Sequence, residues 1–149
     1  MKRTIIAIGN RLMGDDGIAI TVAESLKGKL IKSNFNVIIG ETDYMYCIKN
    51  IDKDDFIILI DSTYLGLKPG TVNCYTLAQL KNSQHYYKPL CPHSFSLLHH
   101  LMNSSPLKGI IIGIEGCRFE YSMEFSEEIK SSFENIRREV YDLILIKTN

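Results

Sequence analysis

The sequence predicts an α/β protein, a three-layer sandwich in which a twisted, mostly parallel sheet carries helices on both faces. Three observations lead there. Isoleucine-rich runs at 5–8, 36–40, 56–60 and 110–114 read as buried strands. Stretches with apolar residues at helical spacing alternate with them, as a parallel sheet requires. Each apolar run then stops at glycine or at an acid, so the turns are abrupt.

Taken in order, the first strand spans about 3–8 and the first helix about 16–30, with Ile18, Val22, Leu26 and Leu30 on one face. Asn36 to Gly40 is a second strand. Tyr44 to Asn50 fits a short helix with Tyr44, Cys47 and Ile48 together. Asp52-Lys53-Asp54-Asp55 is a charged turn. Phe56 to Ile60 has no polar face and belongs in the middle of the sheet. Lys68-Pro69-Gly70 is a turn, and Thr71 to Thr76 alternates as a half-buried edge strand should. Lys81 to Pro92 reads as an exposed loop, followed by a helix capped by Ser94 and running to Asn103. Ile110 to Ile114 is the last buried strand. Ser126 caps the final helix, whose stripe is Ile129, Phe133, Ile136, Val140 and Leu143.

The 149 residues suit one domain spanning 1–149. Seventeen basic and seventeen acidic side chains give zero formal charge, which argues against nucleic-acid or anionic-membrane binding by bulk charge. The apolar run near the start is too short for a signal peptide or membrane span, so a cytoplasmic location is expected. Cys47, Cys74, Cys91 and Cys117 form no Cys-x-x-Cys pair and read as free, mostly buried thiols.

Three polar groups stand at the ends of elements. Asp16 lies in the glycine-rich loop after the first strand, Asp61 where the most apolar strand stops, and His93 just before a helix. In open α/β sheets ligands bind beyond the carboxyl ends of the strands. Two carboxylates and an imidazole there suit a first-row metal such as zinc or nickel, or metal-free acid–base chemistry. Plainer readings stand beside this one. Asp16 or its neighbour Asp15 is a helix cap; Asp61 caps a turn through the Ser62 and Thr63 amides; His93 is a surface histidine. His99 and His100 fit solvated or packed helix positions.

Gly9-Asn10-Arg11-Leu12-Met13-Gly14-Asp15-Asp16-Gly17 resembles the opening motif of the [NiFe]-hydrogenase maturation endopeptidases. Ile60-Asp61-Ser62-Thr63, with the Gly66-Leu67-Lys68-Pro69-Gly70 turn, resembles that family's second block. His93-Ser94-Phe95 fits its third, Ile112-Gly113-Ile114-Glu115-Gly116 its fourth, and Ser126 the start of its closing helix. The resemblance implies an endopeptidase that removes a C-terminal extension from a hydrogenase large-subunit precursor after nickel insertion. It places the metal trio on Asp16, Asp61 and His93. The ion it implies is nickel held by the precursor or another divalent metal at the trio, with no organic cofactor. A monomer is expected.

Two departures stand out. Ala19 replaces a glycine often found in the first block. Glu115-Gly116 replaces Gln-Pro and puts a possible charge near the site. The Gly14-Asp15-Asp16-Gly17 form is nearest to the hydrogenase-3 type. There is no Gly-x-Ser-x-Gly elbow and no His-Glu-x-x-His helix, so water is the expected nucleophile. The rival readings are a non-proteolytic nickel-checking chaperone of the same subunit and, last, a phosphate-binding α/β protein. Tyr44, Tyr64, Tyr86 and Tyr87 are either a grip for a protein partner or plain surface.

Overall fold

The computed structural model describes residues 1–82, 97, 99–101, 103 and 108–149. The elements are β1 (Arg3–Ile8), a 3-10 turn (Gly14–Gly17), α1 (Ile18–Lys32), β2 (Phe35–Glu41), α2 (Tyr44–Lys49), β3 (Phe56–Thr63), β4 (Val72–Thr76), α3 (Leu77–Asn82), β5 (Gly109–Glu115) and α4 (Glu127–Thr148). The strands form one sheet in the order β2-β1-β3-β5-β4. β1, β2, β3 and β5 run parallel, and β4 pairs antiparallel with β5 at the edge. The expected α/β sandwich is therefore present.

Strand alternation divides the sheet into two apolar faces. Ile5, Ile58, Ile60, Ile110, Ile112 and Ile114 pack with α1 and α4. Ile6, Ile8, Ile57, Leu59 and Ile111 pack on the other face with Cys47 of α2, with Leu77 and Leu80 of α3, and with Leu97 and Leu101. β3 is buried almost throughout, as a central parallel strand must be. Ala19 is fully buried in the α1 face, so the alanine is accommodated within the packed core.

Local chemistry explains most boundaries. The Asp43 carboxylate accepts the Tyr46 amide at 3.0 Å and starts α2. The Ser126 hydroxyl accepts from Ile129 N–H and starts α4, with Glu127 and Glu128 in its first turn. Thr71 N–H donates to the Lys68 carbonyl at 3.1 Å, closing the Pro-Gly turn. The charged turn before β3 is only partly exposed: the Asp55 carboxylate accepts from the buried Thr4 hydroxyl at 2.9 Å and from the Asp52 amide at 3.1 Å.

Three boundaries differ from expectation. The strand expected to stop at Asp61 runs on to Thr63, because Asp61, Ser62 and Thr63 stay paired with Gly113, Ile114 and Glu115 of β5. The first helix begins as a 3-10 turn and becomes α-helical only at Ile18, because the four residues Gly14–Gly17 are held by other parts of the chain. α3 occupies the start of the expected loop and extends to Asn82; the Thr76 hydroxyl accepts the Gln79 amide at 3.0 Å and nucleates it. The rest of that expected loop, and Ser94, lie outside the described residues. Of the expected following helix, residues 97, 99–101 and 103 are described and are helical, with Leu97 and Leu101 buried and His99 and His100 exposed.

Candidate active site

The chain passes from β1 to β2 on one side and then crosses to β3 on the other, so the strand order reverses between β1 and β3. Such a switch point opens a crevice beyond the carboxyl ends of the two strands. Asp16 follows β1 and Asp61 closes the apolar run of β3. The parallel register, Ala7 opposite Ile60, brings both to that crevice. Both carboxylates are buried, Asp16 at 5% exposure and Asp61 at 1%.

One residue joins them. Ser62 donates its hydroxyl to Asp16 Oδ1 at 2.5 Å and its amide to Asp61 Oδ1 at 2.8 Å. The Asn10 amide donates to Asp16 Oδ2 at 3.0 Å. Asp16 is thus not a side-chain cap of α1; the residue at that position is Gly17, without a side-chain bond. Asp61 caps no turn: Asp61, Ser62 and Thr63 continue β3 opposite Gly113, Ile114 and Glu115, and only the Ser62 amide donates to the Asp61 carboxylate. By strand alternation Ser62 faces the α1 layer with Ile58 and Ile60, whereas Asp61 faces the layer holding Leu97 and Leu101.

Asp15 has a different task. Its carboxylate is fully buried and accepts four hydrogen bonds: from the amides of Cys117 at 2.9 Å, Arg118 at 3.0 Å and Ser126 at 2.8 Å, and from the Ser126 hydroxyl at 2.8 Å. Burial works to raise its pKa, but these bonds outweigh burial and hold it below the usual aspartate value. Backbone bonds add to the clamp: Gly14 N–H to Ser122 O at 2.8 Å and Asp15 N–H to Arg118 O at 2.8 Å. Gly14 has φ +58°, and a Cβ there would meet the Arg118 carbonyl at 2.5 Å. The loop after β5 is therefore fastened to the loop that carries Asp16.

Glu115 also proves structural. Its buried carboxylate accepts from the Thr63 hydroxyl at 2.8 Å and from the amides of Leu65 and Leu67. The extra charge expected near the site is turned into the loop after β3 and holds its shape.

Among the described residues no group of three or more His, Cys, Asp or Glu side chains is arranged to hold a metal ion. His93, the third expected ligand, lies outside them, as do Cys91 and His85. The oxygen donors of Asp16 and Asp61 suit a hard or borderline divalent cation, and an imidazole would complete a first-row set. Of the described cysteines, Cys47 is buried, Cys74 half-buried and Cys117 exposed, all as free thiols. Burial, helped by Asp43, pushes the Cys47 thiol up to about 11, far from a nucleophilic thiolate. No helix among the described residues is long and apolar enough to cross a membrane.

Residues 20–143 match the family model described as hydrogenase maturation protease. The chain belongs to the hydrogenase maturation protease family. A Methanocaldococcus jannaschii protein with a provisional name in that family is 30% identical over 122 residues, covering 77% of this chain and 76% of its own. The [NiFe] hydrogenase maturation protease HybD of Thermococcus kodakarensis superposes with TM-score 0.75 at 23% identity, over 96% of this chain and 99% of that one. The hydrogenase maturating endopeptidase HybD of E. coli gives TM-score 0.79 at 17% identity, over 99% and 94%. The likeness to these two structures is one of fold. As a member of this family the chain is a hydrolase that cleaves peptide bonds in hydrogenase maturation.

Sequence reasoning did not single out Ser62 or the clamping roles of Asp15 and Glu115. The signal for Ser62 was its place directly after a strand-ending acid. For the other two, burial depends on chain segments about 50 to 110 positions away, which local patterning does not report.

Proposed function

We propose that this protein removes the C-terminal extension of a [NiFe]-hydrogenase large-subunit precursor once nickel has been inserted, with Asp16, Asp61 and His93 as the working residues. The observation that carries this reading is the pairing of two buried carboxylates through Ser62 at the switch point of a maturation-protease fold. Asp16, Asp61 and His93 are the residues that would hold a divalent ion. When bound there, such an ion polarises a carbonyl and lowers the pKa of water.

The chain's own groups prepare the site. The Ser62 hydroxyl and Asn10 amide fix both oxygens of Asp16. The Ser62 amide orients Asp61. Burial of both acids limits competing water and strengthens their electrostatic hold on a cationic centre. Nickel already seated in the precursor is substrate in this reading, and its approach to the acids would license cleavage only of a loaded subunit. Water attacks the scissile carbonyl carbon, and the leaving amine takes a proton as the C–N bond breaks.

The test mixes purified protein with the cognate large-subunit precursor, with and without nickel, and reads the new C-terminus by mass spectrometry. Nickel-dependent loss of a C-terminal peptide is expected. Nickel-dependent binding without cleavage would replace the protease reading with a chaperone.

A further inference from the structure

We propose that the loops around the carboxylates also form a rigid, apolar docking surface for the polypeptide substrate, centred on Leu12, Tyr64, Tyr121 and Met123; this rests on the proteolytic reading above. Apolar side chains stand in solvent on the loops that follow β1, β3 and β5: Tyr121 is 80% exposed, Met123 79%, Tyr64 60% and Leu12 44%. These loops all leave the carboxyl edge of the sheet, where Asp16 and Asp61 lie.

Two contacts join the three loops. Ser122, between Tyr121 and Met123, donates its amide to the Leu12 carbonyl at 2.9 Å. The Tyr64 ring meets Phe119 with centroids 5.3 Å apart. The surface is also stiff. Asp15 clamps the 117–126 segment, and Glu115 clamps the loop bearing Tyr64 through the Leu65 and Leu67 amides. Aromatic side chains on a fixed backbone bind with little loss of freedom, and a flexible methionine beside them adapts its shape to the partner.

Charge selects the occupant. Arg11 is engaged by Glu24 and Glu41, and Arg118 is paired with Glu120 at 2.5 Å, so the two guanidinium groups flanking Leu12 and Tyr121 are matched within the chain. The patch therefore fits an uncharged, apolar polypeptide face. A peptide bond brought to Asp16 and Asp61 lies at the carboxyl edge from which these loops leave, so the occupant is the precursor itself, beside its cleavage segment.

The test compares wild type, the double variant Tyr121→Ala/Met123→Ala, and Ile146→Ala, an exposed position on α4 outside these loops. KM and kcat are measured on the precursor, melting temperature on each variant, and sedimentation on each enzyme alone. The double variant is expected to raise KM about tenfold, the loss of about 1.4 kcal/mol of binding, with kcat, melting and sedimentation unchanged and with Ile146→Ala like wild type. A precursor cut by wild type and by the double variant with equal KM overturns the docking surface alone. A wild-type dimer that the double variant dissociates assigns the patch to a second copy and overturns it too. Wild type that neither binds nor cuts the precursor removes both the proteolytic reading and this surface.

Discussion

Ser62 is hydrogen-bonded to both acids of the site, its hydroxyl 2.5 Å from Asp16 Oδ1 and its amide 2.8 Å from Asp61 Oδ1. The side chain and the main chain of one β3 residue thus set the positions of two carboxylates that lie on different elements. Ser62→Ala removes only the first of these bonds. The loss of one buried, charge-assisted bond is expected to cost about 1–2 kcal/mol of stability, read by urea denaturation. Release of Asp16 from its fixed orientation should lower kcat about tenfold. Full activity in a folded Ser62→Ala protein would show that Asp16 needs no such restraint.

Asp15 supports the neighbouring segment, and its substitution should act on stability with a definite pH signature. Asp15 Oδ2 accepts three bonds and Oδ1 one. Whichever way an asparagine turns, its NH2 group faces at least one N–H or O–H donor. Asp15→Asn is expected to cost about 1–3 kcal/mol at neutral pH. The folded pKa of Asp15 lies below its ordinary value of 3.8. Its contribution is therefore complete above that value and is lost as pH falls through the lower folded pKa. The gap between wild type and variant should be constant from pH 5 to 7, about the range where both states are ionised, and should narrow below about pH 4. Urea titrations across that range measure it; a gap that widens in acid would contradict the clamp.

The strands, and the place of the two acids at the carboxyl edge of the sheet, were legible because each rests on short-range pattern. Phe56 to Ile60 has no polar face and reads as a doubly buried strand, and Asp16 and Asp61 each come after such a run. The 3-10 turn at Gly14–Gly17 was not legible, because it is fixed by Arg118 and Ser122 from the far end of the chain. Glu115 shows the same limit. In the sequence it is a charge near the site; in the fold its oxygens close the loop after β3 through amides about 50 positions earlier. α3 was hidden by a six-residue length and by the polar residues after it.

Gly9 tests how tightly the first loop is built. Its φ is +149°, and a Cβ at that position would lie 2.1 Å from the carbonyl oxygen of Asp16. The obstacle is backbone, so it cannot rotate away as a side chain would. Gly9→Ala must displace the turn that carries Asp16 or distort the end of β1. A loss of about 2–4 kcal/mol is expected from strain and overpacking together. Activity should fall even where the variant remains folded at low temperature. Thermal melting with parallel cleavage assays would check it, and a variant with wild-type melting would contradict the close approach.

Asp16→Asn and His93→Ala bear on the site most directly. Asparagine keeps an oxygen that can accept from Ser62 or Asn10 but removes the negative charge. The fold should persist, with a change in unfolding free energy of no more than about 1–3 kcal/mol. Processing of the precursor should be abolished in both variants. The affinity of the isolated protein for zinc or nickel, measured by calorimetry, should fall about tenfold or more in each if the two side chains share one ion. The two readouts separate the versions of the mechanism. Loss of both metal binding and cleavage points to an ion resident on the protease. Loss of cleavage in a protein that never bound metal alone points to acids that engage the nickel of the precursor. Two folded variants that still process the precursor at the wild-type rate would remove Asp16 and His93 from the site.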